Sequence, residues 1–318
     1  MLFNDLINFI RKEVNRGLKK IPLPKNPKYL YDPIRFILDG SGKRFRPILV
    51  HLSGRSSETD PNSLMKIALA VELVHNFTLV HDDIMDNDYM RHGKPTVHSK
   101  WDNSTAILAG DGIFAIAQIL LCSLPNRANK ICQFFNQTTL ELCEGQALDK
   151  QFENDLNITQ EQYLEMVEKK TGALLGACAA LPAILNNQDK KTIDQLSQFG
   201  KAIGKGFQVH DDLLEIYGDP KKMGKSLGSD IKEGKQTIMV IKARKEFPKE
   251  WELIISNSRE GDNLSVFRNF FKNNGIKRET ELLAKKYFSL ARRSIKNIKI
   301  SNINELNNFV DLIEKRTF

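Results

Sequence analysis

The sequence predicts an all-α fold, a single enlarged helix bundle over residues 1–318, and three observations predict it. Apolar residues recur at helical spacing in nearly every segment. No stretch alternates apolar and polar residues with the β-branched and aromatic enrichment that strands need, so strands are not expected. No linker is long enough to divide two cores, and 41% hydrophobic residues among 318 suffice for one sizeable core.

Each element has its own signal. Residues 2–20 carry apolar side chains at helical spacing, and Pro22, Pro24 and Pro27 then form a stiff connector. A short helix over residues 29–38 ends at Gly40-Ser41-Gly42, followed at once by Lys43-Arg44-Phe45-Arg46-Pro47. The run 67–80 is apolar at nearly every position and predicts a helix buried all round. Helices are expected over 104–124 and 131–150. The capping-box pattern Thr159 to Gln162 starts another toward residue 185, carrying Lys169-Lys170-Thr171 just ahead of the small-residue run 172–180. A helix over 193–216 precedes a Gly- and Lys-rich loop, 218–234, long enough to suggest a lid. Residues 236–318 are helical and more charged, with a break near Gly275 and Trp251 as a packing anchor.

Composition excludes several classes. The net charge of +8 is spread along the chain with acids among the bases, unlike a nucleic-acid footprint, and suits a small anionic substrate. Cys122, Cys132, Cys143 and Cys178 lack CxxC spacing and read as reduced core residues of a cytosolic protein. No signal-peptide pattern is visible. The apolar runs 106–121 and 172–185 contain Asp111 and Pro182, and both fall short of the roughly 20 residues of a membrane span. A soluble, cytoplasmic protein without a transmembrane segment is expected.

The chemistry-bearing residues lie at helix ends. Asp82, Asp83 and Asp86 close the apolar run, and Asp82 and Asp86, one turn apart, share a helix face. Carboxylates this close repel one another, and an oxygen-only ligand set suits Mg²⁺. Val80-His81-Asp82-Asp83 recurs as Val209-His210-Asp211-Asp212, 129 positions further on, with Glu215 as third acid. Each copy precedes a basic tract: Arg91, His92 and Lys94 after the first, and Lys221, Lys222, Lys225, Lys232 and Lys235 after the second. Carboxylates for metal ions together with cations for phosphate oxygens are the groups that diphosphate chemistry needs.

The motifs GSGKRFRP (40–47), His75 to Thr96, Lys170-Thr171, GFQVHDD (206–212) and GKSLGSDIKEGKQT (224–237) together resemble the trans-isoprenyl diphosphate synthases, most closely those of the archaeal geranylgeranyl type. The resemblance covers roughly residues 35–245 in order. It implies an isoprenoid-synthase bundle with a deep central cavity, usually a homodimer, in which the acidic motifs face each other. The allylic diphosphate is then held by Mg²⁺, three ions when substrate is bound, bridging to Asp82, Asp86 and Asp211, and Asp83, Asp212 and Glu215 complete the candidate metal ligands. Arg91, Lys170, Thr171, Gln208, Lys225 and Lys235 match positions that help hold it, and Lys170, Gln208 and Arg91 are the catalytic candidates among them. Lys43, Arg46, His75 and His92 match the isopentenyl diphosphate pocket. The implied reaction joins isopentenyl diphosphate head-to-tail to dimethylallyl, geranyl or farnesyl diphosphate through an allylic cation, releasing diphosphate.

Three positions depart from the family pattern. Ser41 replaces a glycine, Glu215 is one methylene longer than the usual aspartate, and His92 stands where a second arginine is usual. A charged imidazole there predicts that affinity for isopentenyl diphosphate falls as pH rises past its pKa. Phe77 and Thr78, five and four residues before Asp82, sit roughly 6–8 Å down the helix at about 1.5 Å per residue. A single aromatic there resembles twenty-carbon producers; farnesyl or longer-chain synthesis is the alternative. Among other classes, a terpene cyclase would carry a different second motif, a silent prenyl-diphosphate-binding subunit usually loses one motif, and an HD-type phosphohydrolase would need more spaced histidines.

Overall fold

The computed structural model describes residues 2–40, 42–91, 93–218, 228–232, 234–257 and 264–316, with only the backbone of Ser229 and Lys232. In chain order come α1 (Phe3–Lys19), α2 (Lys28–Leu38), α3 (Phe45–Ser56) and α4 (Pro61–Met85), then the two-residue strands β1 (Met90–Arg91) and β2 (Lys94–Pro95). The helices α5 (Val97–Lys100), α6 (Asn103–Cys122), α7 (Ala128–Phe152) and α8 (Gln160–Val167) follow, and a π-helical turn (Glu168–Gly172) leads into α9 (Ala173–Leu185) and α10 (Lys190–Tyr217). After them stand α11 (Ser229–Lys232), α12 (Ile238–Glu246), α13 (Pro248–Asn257), α14 (Leu264–Asn273), α15 (Ile276–Ile295) and α16 (Ile303–Glu314).

The chain forms two compact units. One comprises Met1–Thr139, Ala177–Ser197 and Ile298–Asn308; the other comprises Leu140–Gly176, Gln198–Asn297 and Phe309–Phe318. In the first, α4 packs against α1, α3 and α6, and α2 packs against α6. Asp60 caps α4 by accepting from the Ser63 amide at 2.8 Å, and Asp102 caps α6 by accepting from the Thr105 amide at 2.7 Å. Burial of α4 is complete from Ile67 to Val74, whereas residues 75–79 are only partly covered. The helix is therefore not buried all round as far as Val80. It opens one turn before its acids, at His75, Phe77 and Thr78.

In the second unit α12 packs against α8, α13 and α15, and α14 packs against α15. The Thr159–Gln162 capping box forms as its spacing predicts, at 3.2 and 2.9 Å. Trp251, 7% exposed, stacks on Phe271 with ring centroids 5.6 Å apart and touches Phe267 and Phe270, an aromatic anchor as expected. The break before α15 falls at Gly275, whose φ of +76° glycine adopts without strain.

Three expectations need correction. A minimal antiparallel ladder does occur, pairing Met90 with Pro95 and Arg91 with Lys94. Only Cys178 is a core cysteine: Cys122 and Cys143 are exposed and Cys132 is half-buried, because an apolar helix does not declare from its sequence which face is outward. Finally, α4 and α6 are long and apolar enough to cross a membrane by length and composition. The first is 25 residues long and 72% buried over its most apolar window; the second is 20 residues long and only 39% buried. Burial marks α4 as a core helix, while α6 leaves Ile107, Leu108 and Ile119 at 46, 46 and 68% exposure.

Candidate active site

In the first unit, α4 carries a phosphate-binding candidate, a tail-contacting candidate and an acidic motif on successive turns. Arg46, in the first turn of α3, places Nη1 3.0 Å from Nε2 of His75 on α4. Lys43 lies just before α3, its carbonyl accepting from Arg11 Nε at 3.2 Å. Phe77 packs against Phe114 of α6, centroids 5.5 Å apart, and against His81 at 4.7 Å. The Thr78 hydroxyl donates back to the His75 carbonyl at 2.8 Å, so its polar atom is tied to its own helix. At the end of α4, Asp82 and Asp86 stand one turn apart and partly exposed, the Asp86 amide donating to the Asp82 carbonyl at 2.8 Å.

Asp83 faces elsewhere. It is buried and accepts from Arg91 Nε at 2.7 Å, with Arg91 Nη2 at 2.6 Å. Burial holds its carboxyl above the usual carboxylate range, and the bond from Arg91 opposes that rise. The β1–β2 ladder thus fixes Arg91 on the first motif. His92 lies outside the described residues.

In the second unit, Lys170 and Thr171 sit inside the π-helical turn. Lys170 Nζ donates to Asp149 of α7 at 2.5 Å. Two glycines allow this turn its neighbours. A Cβ on Gly145 would lie 2.2 Å from the Lys170 amide nitrogen, and one on Gly204 would lie 2.5 Å from Gly172 Cα. A chain of polar contacts runs on from there. The Thr171 hydroxyl meets Gln208 Oε1 at 3.4 Å, and Gln208 Nε2 donates to Asp212 at 3.3 Å. Asp212 also accepts from the Tyr163 hydroxyl at 2.6 Å and from the Ile238 amide at 3.0 Å. Burial pushes Asp212 up to about 7 despite these donors, and burial with the adjacent Asp212 pushes the Tyr163 phenol well above its ordinary value.

Glu215, 3% exposed, stands 3.4 Å from the Asp230 amide, and Lys235 Nζ lies 3.7 Å from the Asp230 carboxylate. Asp211 is paired with Arg316, just past the end of α16, whose guanidinium lies 4.3 Å over the Phe207 ring. Burial lowers Arg316 to about 10. Lys225 and most of the Gly- and Lys-rich loop 218–234, including Lys221 and Lys222, lie outside the described residues.

Among the described residues, no three His, Cys, Asp or Glu side chains converge into a ready-made metal cluster. The donor chemistry nevertheless fits a hard cation. The motif ligands are all carboxylate oxygens, Asp82 and Asp86 project from adjacent turns, and Asp211 already holds a cationic group, the Arg316 guanidinium. Sequence reasoning missed Asp149, Tyr163 and Arg316, which contact the recognised residues Lys170, Asp212 and Asp211. They carry no motif, and only their packing partners mark them.

Residues 27–270 match the polyprenyl synthetase family. A geranylgeranyl diphosphate synthase of Methanosarcina mazei is 40% identical over 249 residues, covering 76% of this chain and 77% of that protein. One from Saccharolobus solfataricus is 37% identical over 312 residues, covering 95% and 92%. Among solved structures, the geranylgeranyl pyrophosphate synthetase of Geoglobus acetivorans superposes with a TM-score of 0.88 at 36% identity, covering 98% of this chain and all of that one. The chain belongs to the polyprenyl synthetase family, and its all-helical architecture is the family's.

Proposed function

We propose that this protein is a magnesium-dependent prenyltransferase that adds isopentenyl diphosphate head-to-tail to dimethylallyl, geranyl and farnesyl diphosphates, ending at geranylgeranyl diphosphate. The observation that carries this reading is the doubled Val-His-Asp-Asp motif, both copies at helix ends and both inside the span matched by the family. Asp82, Asp86 and Asp211 would hold magnesium, and Asp83, Asp212 and Glu215 brace the same motifs through Arg91, Tyr163 and the Asp230 amide. When bound, magnesium neutralises the charge that develops on the departing diphosphate.

The chain's own cations share that task. Lys170, Lys225 and Lys235 bring ammonium groups and Arg91 a guanidinium to the allylic diphosphate, while Thr171 and Gln208 orient it by hydrogen bonds. Lys43, Arg46, His75 and His92 grip isopentenyl diphosphate, holding its double bond toward the allylic carbon. Carbon–oxygen cleavage leaves an allylic cation, the double bond attacks it, and the released diphosphate takes the proton lost from the new chain. Phe77, backed by Phe114, blocks the growing tail, and the small Thr78 beside it sets the stop at twenty carbons. The exposed apolar side chains of α6 support assembly as a homodimer, and the protein acts in the cytoplasm.

Chromatography of dephosphorylated products, after incubation with Mg²⁺, isopentenyl diphosphate and each allylic starter, tests the reading. Geranylgeraniol is expected as the main product, and Phe77→Ala should shift it to longer alcohols. Absence of any prenyl alcohol overturns the assignment. An unchanged product spectrum in the variant removes Phe77 as the floor.

A further inference from the structure

Arg44 lies between Lys43 and Arg46, the two cations assigned to isopentenyl diphosphate, yet its side chain is only 5% exposed. Its backbone is left-handed, with φ 55° and ψ 35°, a conformation uncommon outside glycine and persistent only where the surroundings hold it. The surroundings here are three bonds from one guanidinium. Nη1 donates to Glu72 Oε1 on α4 at 2.5 Å, Nε donates to Asn15 on α1 at 2.9 Å, and Nη2 donates to the Gly40 carbonyl. One side chain thus fastens α1, α4 and the segment before α3.

Glu72 stands one turn before His75 on α4 and is 3% exposed. Its Oε1 is taken by Arg44, while its Oε2 is buried with no hydrogen-bond partner. Nε of Arg46 is likewise buried and unbonded. Burial lowers the pKa of Arg46, and the nearby Cys178 and Glu72 oppose that fall. The Cys178 thiol is pushed up by burial and stays neutral, so Glu72 is the charge that acts on Arg46. One buried carboxylate therefore attracts two guanidiniums, and a bonded geometry exists with only one of them.

We propose that Arg44 is a positioning residue for isopentenyl diphosphate: it occupies Glu72, and so keeps Arg46, which contacts His75, directed to the substrate's diphosphate. The inference rests on the assignment of Arg46 and His75 to that substrate. A guanidinium forks onto one oxyanion well, and a buried carboxylate without its partner is strongly unfavourable. Removing Arg44 leaves Glu72 uncompensated, with Arg46 as the cation that can satisfy it. Arg46 captured in this way is lost to phosphate. The allylic substrate, assigned to other residues, is unaffected.

Steady-state kinetics on the full chain, with the Michaelis constant of each substrate measured separately and thermal melting alongside, test this on R44M, R44Q and R44M/E72Q. R44Q retains a hydrogen-bond donor and serves where R44M does not fold. In the single variants the constant for isopentenyl diphosphate rises about tenfold or more, while that for the allylic diphosphate stays within about twofold; the double variant recovers to within about threefold of wild type. An unchanged constant for isopentenyl diphosphate in a folded single variant overturns the inference, as does an equal rise for both substrates or no recovery in the double. Single variants that fail to fold beside a folded double reduce the pair to scaffolding and also overturn it. A wild-type chain that does not condense the two substrates refutes the proposed function instead, which keeps the two failures apart.

Discussion

Each of the six motif carboxylates meets different surroundings, and those surroundings sort them. Asp83, Asp212 and Glu215 are at most 4% exposed, whereas the Asp211 side chain is 31% exposed and Asp82 and Asp86 are partly open. A carboxylate that meets an incoming ion has to be reachable, so exposure is the ground on which Asp82, Asp86 and Asp211 are proposed as ligands and Asp83, Asp212 and Glu215 as braces. Residue type and i, i+4 spacing were enough to find Asp82, Asp86, Asp211 and Glu215. Nothing local could reveal that Tyr163 holds Asp212, because the two are 49 residues apart and meet only through packing. His51 is half-buried near Arg55, and desolvation first, then the arginine's charge, lowers its pKa from 6.5 to about 4. The folded state therefore keeps the imidazole neutral, and the unfolded chain takes up a proton first. Stability should decline as pH falls through the window from about 6.5 to 4, with no contribution above it. Thermal melting of wild type and His51→Gln across that window checks this: the variant should show a shallower acid decline.

At the scale of elements, periodicity made most helices legible, and the Thr159–Gln162 capping box marked the start of α8, whereas the Asp60 and Asp102 caps emerged only from the structure. What periodicity could not show was the π-helical turn at Glu168–Gly172. It interrupts what reads as one continuous helix from Thr159 onward. A residue inserted into the α-helical ladder leaves no compositional trace, yet such turns often occur at functional sites, and this one presents Lys170 and Thr171. The extra residue needs a close neighbour without a side chain, and Gly145 of α7 is that neighbour. Gly145→Ala forces a backbone shift, because its Cβ would stand 2.2 Å from the Lys170 nitrogen. Overpacking of this kind costs about 1–3 kcal/mol. A lowered melting temperature is expected together with a raised Michaelis constant for the allylic diphosphate. A variant that melts and turns over like wild type would show the contact to be slack.

At the scale of the molecule, α6 is apolar on a face that its own unit leaves uncovered, with Ile119 at 68% exposure. Water contact along such a face is unfavourable, and a second copy of the chain would relieve it. Sedimentation velocity should find a dimer for wild type, and Ile119→Glu should shift it toward monomer. Identical sedimentation of the two would move the interface elsewhere. Helical content could be read from the sequence because every segment carried its own period. The outward face of α6 could not, since that face depends on which side α2 and α4 cover. The central proposal is that both Val-His-Asp-Asp motifs are required for magnesium-dependent binding of the allylic diphosphate. Calorimetric binding of an unreactive allylic diphosphate analogue, with and without Mg²⁺, tests it most directly. Wild type should bind only with the metal, and Asp82→Ala and Asp211→Ala should each abolish that metal-dependent binding; full binding retained in either variant would contradict it.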